Sequence, residues 1–207
     1  TASLALSTPE PPAIVGASLG GLAALIGIGL RRSVRATALV LVDIAPRIEM
    51  SGARRVLSFM AAYPDGFESL GAASRAIARY LNRDRPPTTD GLNRVLRPAG
   101  DRWLWHWDPH VLNGIGRLLD GDDATAAARA EVVSDLLHEA ARNLDLPTLL
   151  VRGGLSDVVS QEGADEFLRA APQARFVDVT DAGHMVAGDQ NDIFGDVIVD
   201  FLTEVRR

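Results

Sequence analysis

The segment Gly16-Ala17-Ser18-Leu19-Gly20 sits where two apolar runs of different character meet, and it constrains the fold more than any other stretch of the chain. Pro12-Ala13-Ile14-Val15 before it reads as a short buried strand. Leu19 to Arg32 after it reads as a helix, apolar on nearly all sides through Leu22, Leu25, Ile26, Ile28 and Leu30, and therefore buried. G-x-S-x-G between a strand and a helix puts the serine on a tight, strained turn. The residues two before and two after that serine approach each other, so Gly16 and Gly20 are expected to tolerate nothing larger than hydrogen. The following helix aims its N-terminus at Ser18 and favours negative charge developing there. The backbone N–H of Leu19 can then donate to an oxyanion, whatever its own side chain does. The plain alternative is a glycine-rich turn with a helix-capping serine.

Further along, Thr37 to Val42, Pro147 to Val151 and residues 174 to 179 read as three more strands. The first two are apolar without alternation, the pattern of a mostly parallel sheet covered on both faces. The spacing predicts that Ser160 caps a helix carrying Ala164, Phe167 and Leu168, and that a last helix from about Asp192 turns Phe194, Ile198, Phe201 and Val205 inward. Between 47 and 143 no strand is expected. Val56, Phe59, Met60 and Tyr63, then Phe67, Leu70, Ile77 and Leu81, then Ala130, Val133, Leu137, Ala140 and Leu144 recur at helical spacing. Asp108-Pro109 reads as an N-cap followed by a first-turn proline. This region is an insertion of helices between strands of an α/β core.

Composition narrows the chemistry. The 207 residues contain no cysteine, which removes disulfides, thiol nucleophiles and cysteine-held metals together. All 21 basic residues are arginine, which excludes Schiff-base lysines and the lysine-dependent phosphate loop. A net charge of −6 gives no general attraction to nucleic acid or to an anionic membrane, and the longest apolar stretch, Leu19 to Leu30, is too short to cross a bilayer. The default expectation is a cytoplasmic protein that binds neither nucleic acid nor membrane. Self-association into a homo-oligomer stays open.

A serine nucleophile needs a base and an acid that orients the base. His184 is the expected base, because it follows a strand in the glycine-containing loop Asp181-Ala182-Gly183. His138 lies on a helix beside Glu139, and Pro109 interrupts any common helix for His106 and His110, so no metal site is expected from that pair. Asp157 is the expected acid: it follows a strand in a loop and completes the order Ser18, Asp157, His184. Asp43 is its rival, since it too ends a strand, but it could equally bond Arg47 or cap the turn before Pro46. Asp178, Asp189 and Asp192 read as structural.

Four segments together resemble the α/β-hydrolase superfamily: Gly16-Ala17-Ser18-Leu19-Gly20-Gly21, Val42-Asp43-Ile44-Ala45-Pro46-Arg47, Arg152-Gly153-Gly154-Leu155-Ser156-Asp157 and Gly183-His184-Met185-Val186-Ala187-Gly188-Asp189. The chain is most similar to capped bacterial carboxylesterases and cofactor-free haloperoxidase-like hydrolases. The segment Arg102-Trp103-Leu104-Trp105-His106-Trp107-Asp108-Pro109 fits their cap. The resemblance implies a hydrolase core at 1–46 and 144–207, a helical lid at 47–143, and a Ser–Asp–His site that uses neither metal nor cofactor. It implies hydrolysis of carboxylic esters or related acyl compounds through an acyl-enzyme. The same triad also serves carbon–carbon bond hydrolysis and perhydrolysis, and some proteins of this fold are ligand receptors.

Trp103, Trp105 and Trp107 alternate, so an extended segment puts them on one side, either as an aromatic wall of the substrate pocket or as ordinary packing. The family also places four strands ahead of the nucleophile turn, with a loop among them giving the second oxyanion N–H. The strand at 12–15 would otherwise be a bare edge, so a preceding segment of about 70–90 residues is expected, enough for four strands and their connections.

Overall fold

A computed structural model describes residues 10–82, 89–108, 110–112, 123–184 and 191–206. The chain divides into two compact units, Thr1–Ala53 with Asp123–Arg207, and Arg54–Asp122.

The first unit is built on a four-stranded parallel sheet. Its strands are β1 (Ala13–Ala17), β2 (Ala38–Val42), β5 (Thr148–Gly153) and β6 (Arg175–Val179), in spatial order β1-β2-β5-β6. They match the four expected strands within two residues at each end. The unbroken apolar runs have the expected cause: every residue of β2 and β5 is buried. Successive side chains leave opposite faces of a strand, so both faces need cover. On one face Val40, Val42, Leu149 and Val151 pack with Val179 and with Phe201 of helix α6 (Asn191–Val205). On the other, Leu39, Leu41 and Leu150 are fully buried. Each such leucine contributes about 1.5–3 kcal/mol relative to exposure. Among the described residues β1 stands at the edge of this sheet, and Val15 is 48% exposed on it.

The helix after Ser18 is α1 (Leu19–Leu25), and the chain continues as a π-type turn, Ile26–Leu30. Gly27 and Gly29 are buried in that wider turn, and a Cβ on Gly29 would stand 2.0 Å from the Ala140 carbonyl oxygen. Ala140 belongs to α4 (Asp123–Arg142), which therefore packs on the first unit. The compact unit therefore includes a helix that falls within the expected insertion, 47–143. The stripe Leu137, Ala140, Ala141 and Leu144 is buried against the core, because helical spacing identifies an apolar face but not which body it faces. As expected, Ser160 caps α5 (Gln161–Ala170), its Oγ accepting the Gly163 N–H at 3.1 Å.

The second unit contains α3 (Leu70–Tyr80) and most of α2 (Met50–Ala61). It also holds a hairpin the sequence reading did not expect, β3 (Leu96–Ala99) paired antiparallel with β4 (Arg102–Trp105). Pro98 obscured it, since proline argues against a strand interior; a two-stranded ribbon, which is all edge, accommodates one. Phe67, Ala73, Ala76 and Leu96 form the buried centre of this unit.

Replacing Leu137, 1% exposed, by alanine should lower stability by about 2–5 kcal/mol, while Val132→Ala, 61% exposed on the same helix, should stay within about 0.5 kcal/mol. Denaturant unfolding of the two variants measures the contrast. Equal, small effects would place the helix outside the core.

Candidate active site

Parallel strands bring their C-terminal ends to one edge of a sheet, and all the candidate groups of the first unit lie at that edge. Ser18 follows β1 directly, Asp43 follows β2, the turn 154–159 follows β5, and His184 follows β6. Ser18 has φ 46° and ψ −121°, a conformation that L-residues rarely adopt, and its N–H donates to the Val42 carbonyl at 3.1 Å. The crowding that demands glycine is as expected at Gly16 and differs at Gly20. A Cβ on Gly16 would lie 2.7 Å from Gly21 Cα, and one on Gly21 would lie 2.5 Å from the Ile44 side chain, whereas one on Gly20 would meet nothing within 4 Å. A Cβ on Gly16 would also lie 2.8 Å from the Gly20 backbone carbon, so the expected approach of Gly16 and Gly20 is present, while the position that is itself crowded after the serine is Gly21, which the first turn of α1 brings back beneath β1.

His184 Nε2 stands 3.3 Å from Ser18 Oγ, and His184 Nδ1 stands 2.7 Å from Asp43 Oδ2. With Nδ1–H donated to the carboxylate, Nε2 carries the lone pair that faces the serine hydroxyl. The carboxylate hydrogen-bonded to the imidazole is thus that of Asp43, the rival of the expected acid Asp157. Asp157 lies in the turn after β5, with its carbonyl against Gly52: a Cβ there would come within 1.9 Å of it. The neighbour Ser156 reaches the site instead, donating from Oγ to Asp43 Oδ2 at 2.6 Å. The Gly153 N–H donates to Asp43 Oδ1 at 2.9 Å. Asp43 is 0% exposed and has φ 47°, a left-handed conformation that aspartate tolerates better than most residues.

The alternative partner considered for Asp43 is occupied elsewhere. Arg47 bonds Glu166 and Glu162, each at 2.9 Å, and these bonds hold its guanidinium above its ordinary pKa. Asp178 pairs with Arg152 at 2.6 Å. Asp108 accepts the His110 N–H and faces the His110 ring, and both contacts hold its carboxyl below its ordinary range. Pro109, and Met185 to Asp189 of the fourth matching segment, lie outside the described residues. Asp192 opens the last helix without a described side chain.

The three tryptophans belong to the second unit. Trp103 and Trp105 pack on the Phe67–Leu96 cluster of that unit, and Trp107, beyond the strand, stacks on Trp105 at 6.1 Å. The ordinary packing role accounts for the first two. Trp105 Nε1 is buried without a hydrogen-bond partner among the described residues.

The family described as Alpha/beta hydrolase family matches residues 2–197. This chain belongs to that family. It is similar to the 3-hydroxybutyrate-oligomer hydrolase of Cupriavidus necator, 27% identical over 179 residues that make up 82% of this chain and 57% of the relative. Among solved structures it is similar to a Mycobacterium tuberculosis esterase, with TM-score 0.65 and 25% identity over 97% of this chain and 64% of the other. It also shares the fold of E-2-(acetamidomethylene)succinate hydrolase, with TM-score 0.68 and 22% identity over 92% of this chain and 66% of that one. The chain thus spans between a little over half and two thirds of the length of these proteins. Among the described residues no helix is long and apolar enough to cross a membrane.

The crowding at the turn has a direct test. Gly21→Ala should cost about 1–3 kcal/mol through overpacking, whereas Gly20→Ala, in the same helix with open space around it, should gain up to about 1 kcal/mol from helix propensity. Thermal unfolding of the pair ranks them; the reverse order would put the close approach at Gly20.

Proposed function

We propose that this chain carries the active site of a serine hydrolase acting on carboxylic esters. Ser18 is the nucleophile, His184 the general base and acid, and Asp43 the residue that orients and charges the imidazole. The observation that supports this most is the unbroken line Ser18 Oγ–His184 Nε2, His184 Nδ1–Asp43 Oδ2, at 3.3 and 2.7 Å.

The reaction follows from that line. The Ser18 hydroxyl proton passes to His184 Nε2 while Oγ bonds the ester carbonyl carbon, and the C=O electron pair moves onto oxygen. The Leu19 N–H, first in α1 and without a carbonyl four residues back in the helix, is available to that oxyanion. The tetrahedral adduct collapses, the alkoxide leaves with the proton from His184, and Ser18 holds the acyl group. A water then gives its proton to His184, adds to the acyl carbon, and the acid departs as Ser18 regains its hydrogen. Asp43 stays ionised throughout and stabilises the imidazolium formed at each stage.

Ser18→Ala should remove nearly all hydrolysis of a short-chain nitrophenyl ester, a loss of at least about a thousandfold. A fluorophosphonate probe should label the Ser18 peptide of the wild type stoichiometrically. Retained turnover in Ser18→Ala would refute the assignment. Oligomers of 3-hydroxybutyrate, named for the Cupriavidus relative, belong in the same substrate panel.

The two aspartates separate cleanly. Asp43→Asn should lower kcat by about 10³–10⁴-fold, since an amide at that position no longer fixes the imidazole tautomer. Asp157→Asn should leave kcat within about threefold, as expected for a residue outside the unit that reacts together. Steady-state kinetics on the two variants decides which acid the enzyme uses.

A further inference from the structure

We propose that Ser156 is a positioning residue for this reaction, its hydroxyl proton committed to Asp43 so that the carboxylate keeps one orientation toward His184. The inference rests on the Ser18–His184–Asp43 reading and extends it to a residue one place before the expected acid.

The direction of the bond follows from counting donors. Ser156 Oγ lies 3.1 Å from the Val158 N–H and 3.1 Å from the Val159 N–H, both of which can only donate. A hydroxyl oxygen has two lone pairs and one hydrogen. With both lone pairs engaged, the hydrogen goes to the remaining neighbour, Asp43 Oδ2 at 2.6 Å. Ser156 is therefore a fixed donor rather than a hydroxyl free to rotate.

That donor meets a need. The terminal torsion of aspartate is soft, so the plane of a carboxylate is set by its partners. The Gly153 N–H holds Oδ1, while Ser156 and His184 share Oδ2. Without Ser156 the imidazole alone restrains Oδ2, and the ring and the acid can swing together. The turn that carries Ser156 is itself anchored: Arg152, 8% exposed, donates from Nε to the Val159 carbonyl at 2.8 Å and from NH1 to Asp178 at 2.6 Å. Two donors, one from the last residue of β5 and one from the turn after it, thus reach the acid at the end of β2.

The test uses kcat and KM for a short-chain nitrophenyl ester in Ser156→Ala and Ser156→Thr, each in the wild-type and the Asp43→Asn background. Ser156→Ala should lower kcat by about 10–100-fold, the size typical of losing a group that orients a reacting one, with KM changed by less than about twofold. Ser156→Thr, which keeps the hydroxyl, should recover most of the rate. In the Asp43→Asn background Ser156→Ala should cost less than about threefold, because the bond it removes no longer orients an acid. If Ser156→Ala does not fold, Ser156→Cys, a weaker donor of similar shape, replaces it with the same expectations. Equal losses in both backgrounds, a threonine variant as slow as alanine, or an unchanged kcat would overturn the role of Ser156. Fluorophosphonate labelling of wild-type Ser18 separates the two readings: an adduct with unaffected Ser156 variants overturns this inference alone, and no adduct overturns the triad and this inference with it.

Discussion

A carboxylate with no exposure to water sits at the end of the second strand, and the arrangement around it follows from keeping it charged. Burying an ion without partners costs several kcal/mol, so Asp43 requires donors on every side. It finds them in a backbone N–H, a serine hydroxyl and an imidazole, from the ends of two other strands. Hydrogen bonds to a charged group are worth about 1.5–3 kcal/mol each, which offsets much of the desolvation. Asp43 holds this place with a left-handed backbone, φ 47°. The Ser18 N–H on the Val42 carbonyl links the serine turn to the residue just before Asp43. The geometry of the serine turn and that of the buried carboxylate are therefore set by neighbouring atoms of one sheet edge.

Much of this was legible in the residues. Continuous apolar runs announce strands buried on both faces, and G-x-S-x-G between a strand and a helix announces a strained serine turn. His184 stood out because a histidine in a glycine-containing loop after a strand has little reason to be buried core. The acid was less legible for a physical reason. Two aspartates end adjacent strands, and chain order and loop placement favour Asp157, while the deciding contact spans 141 residues and leaves no local trace. The one available signal was indirect: Arg47, the competing partner of Asp43, has two glutamates at helical spacing, Glu162 and Glu166, to occupy it. Gly20 and Gly21 show the same limit. Both follow the serine closely, and only the rotation of the first helical turn decides which of them meets β1.

The region between 54 and 122 was read least well. Its helical stripes are real, but period alone does not reveal a short hairpin containing a proline, nor that Trp103 and Trp105 serve the unit's own centre. The helix at 123–142 belongs to the other unit because Gly29 lets its backbone approach the π turn, a contact between segments more than a hundred residues apart.

Those separations bear on how the molecule comes to exist. Ser18 and His184 are 166 residues apart, and both bonds of the imidazole close loops that contain most of the chain. Closing a long loop costs entropy that nearby contacts must recover, so such pairings form late and slowly. The imidazole line is in effect a clasp over nearly the whole described chain. Local structure can form early at either end without bringing the three groups together. Return of the Ser18–His184 contact during refolding would therefore mark the last docking of β6 and its turn, not the first collapse of the sheet.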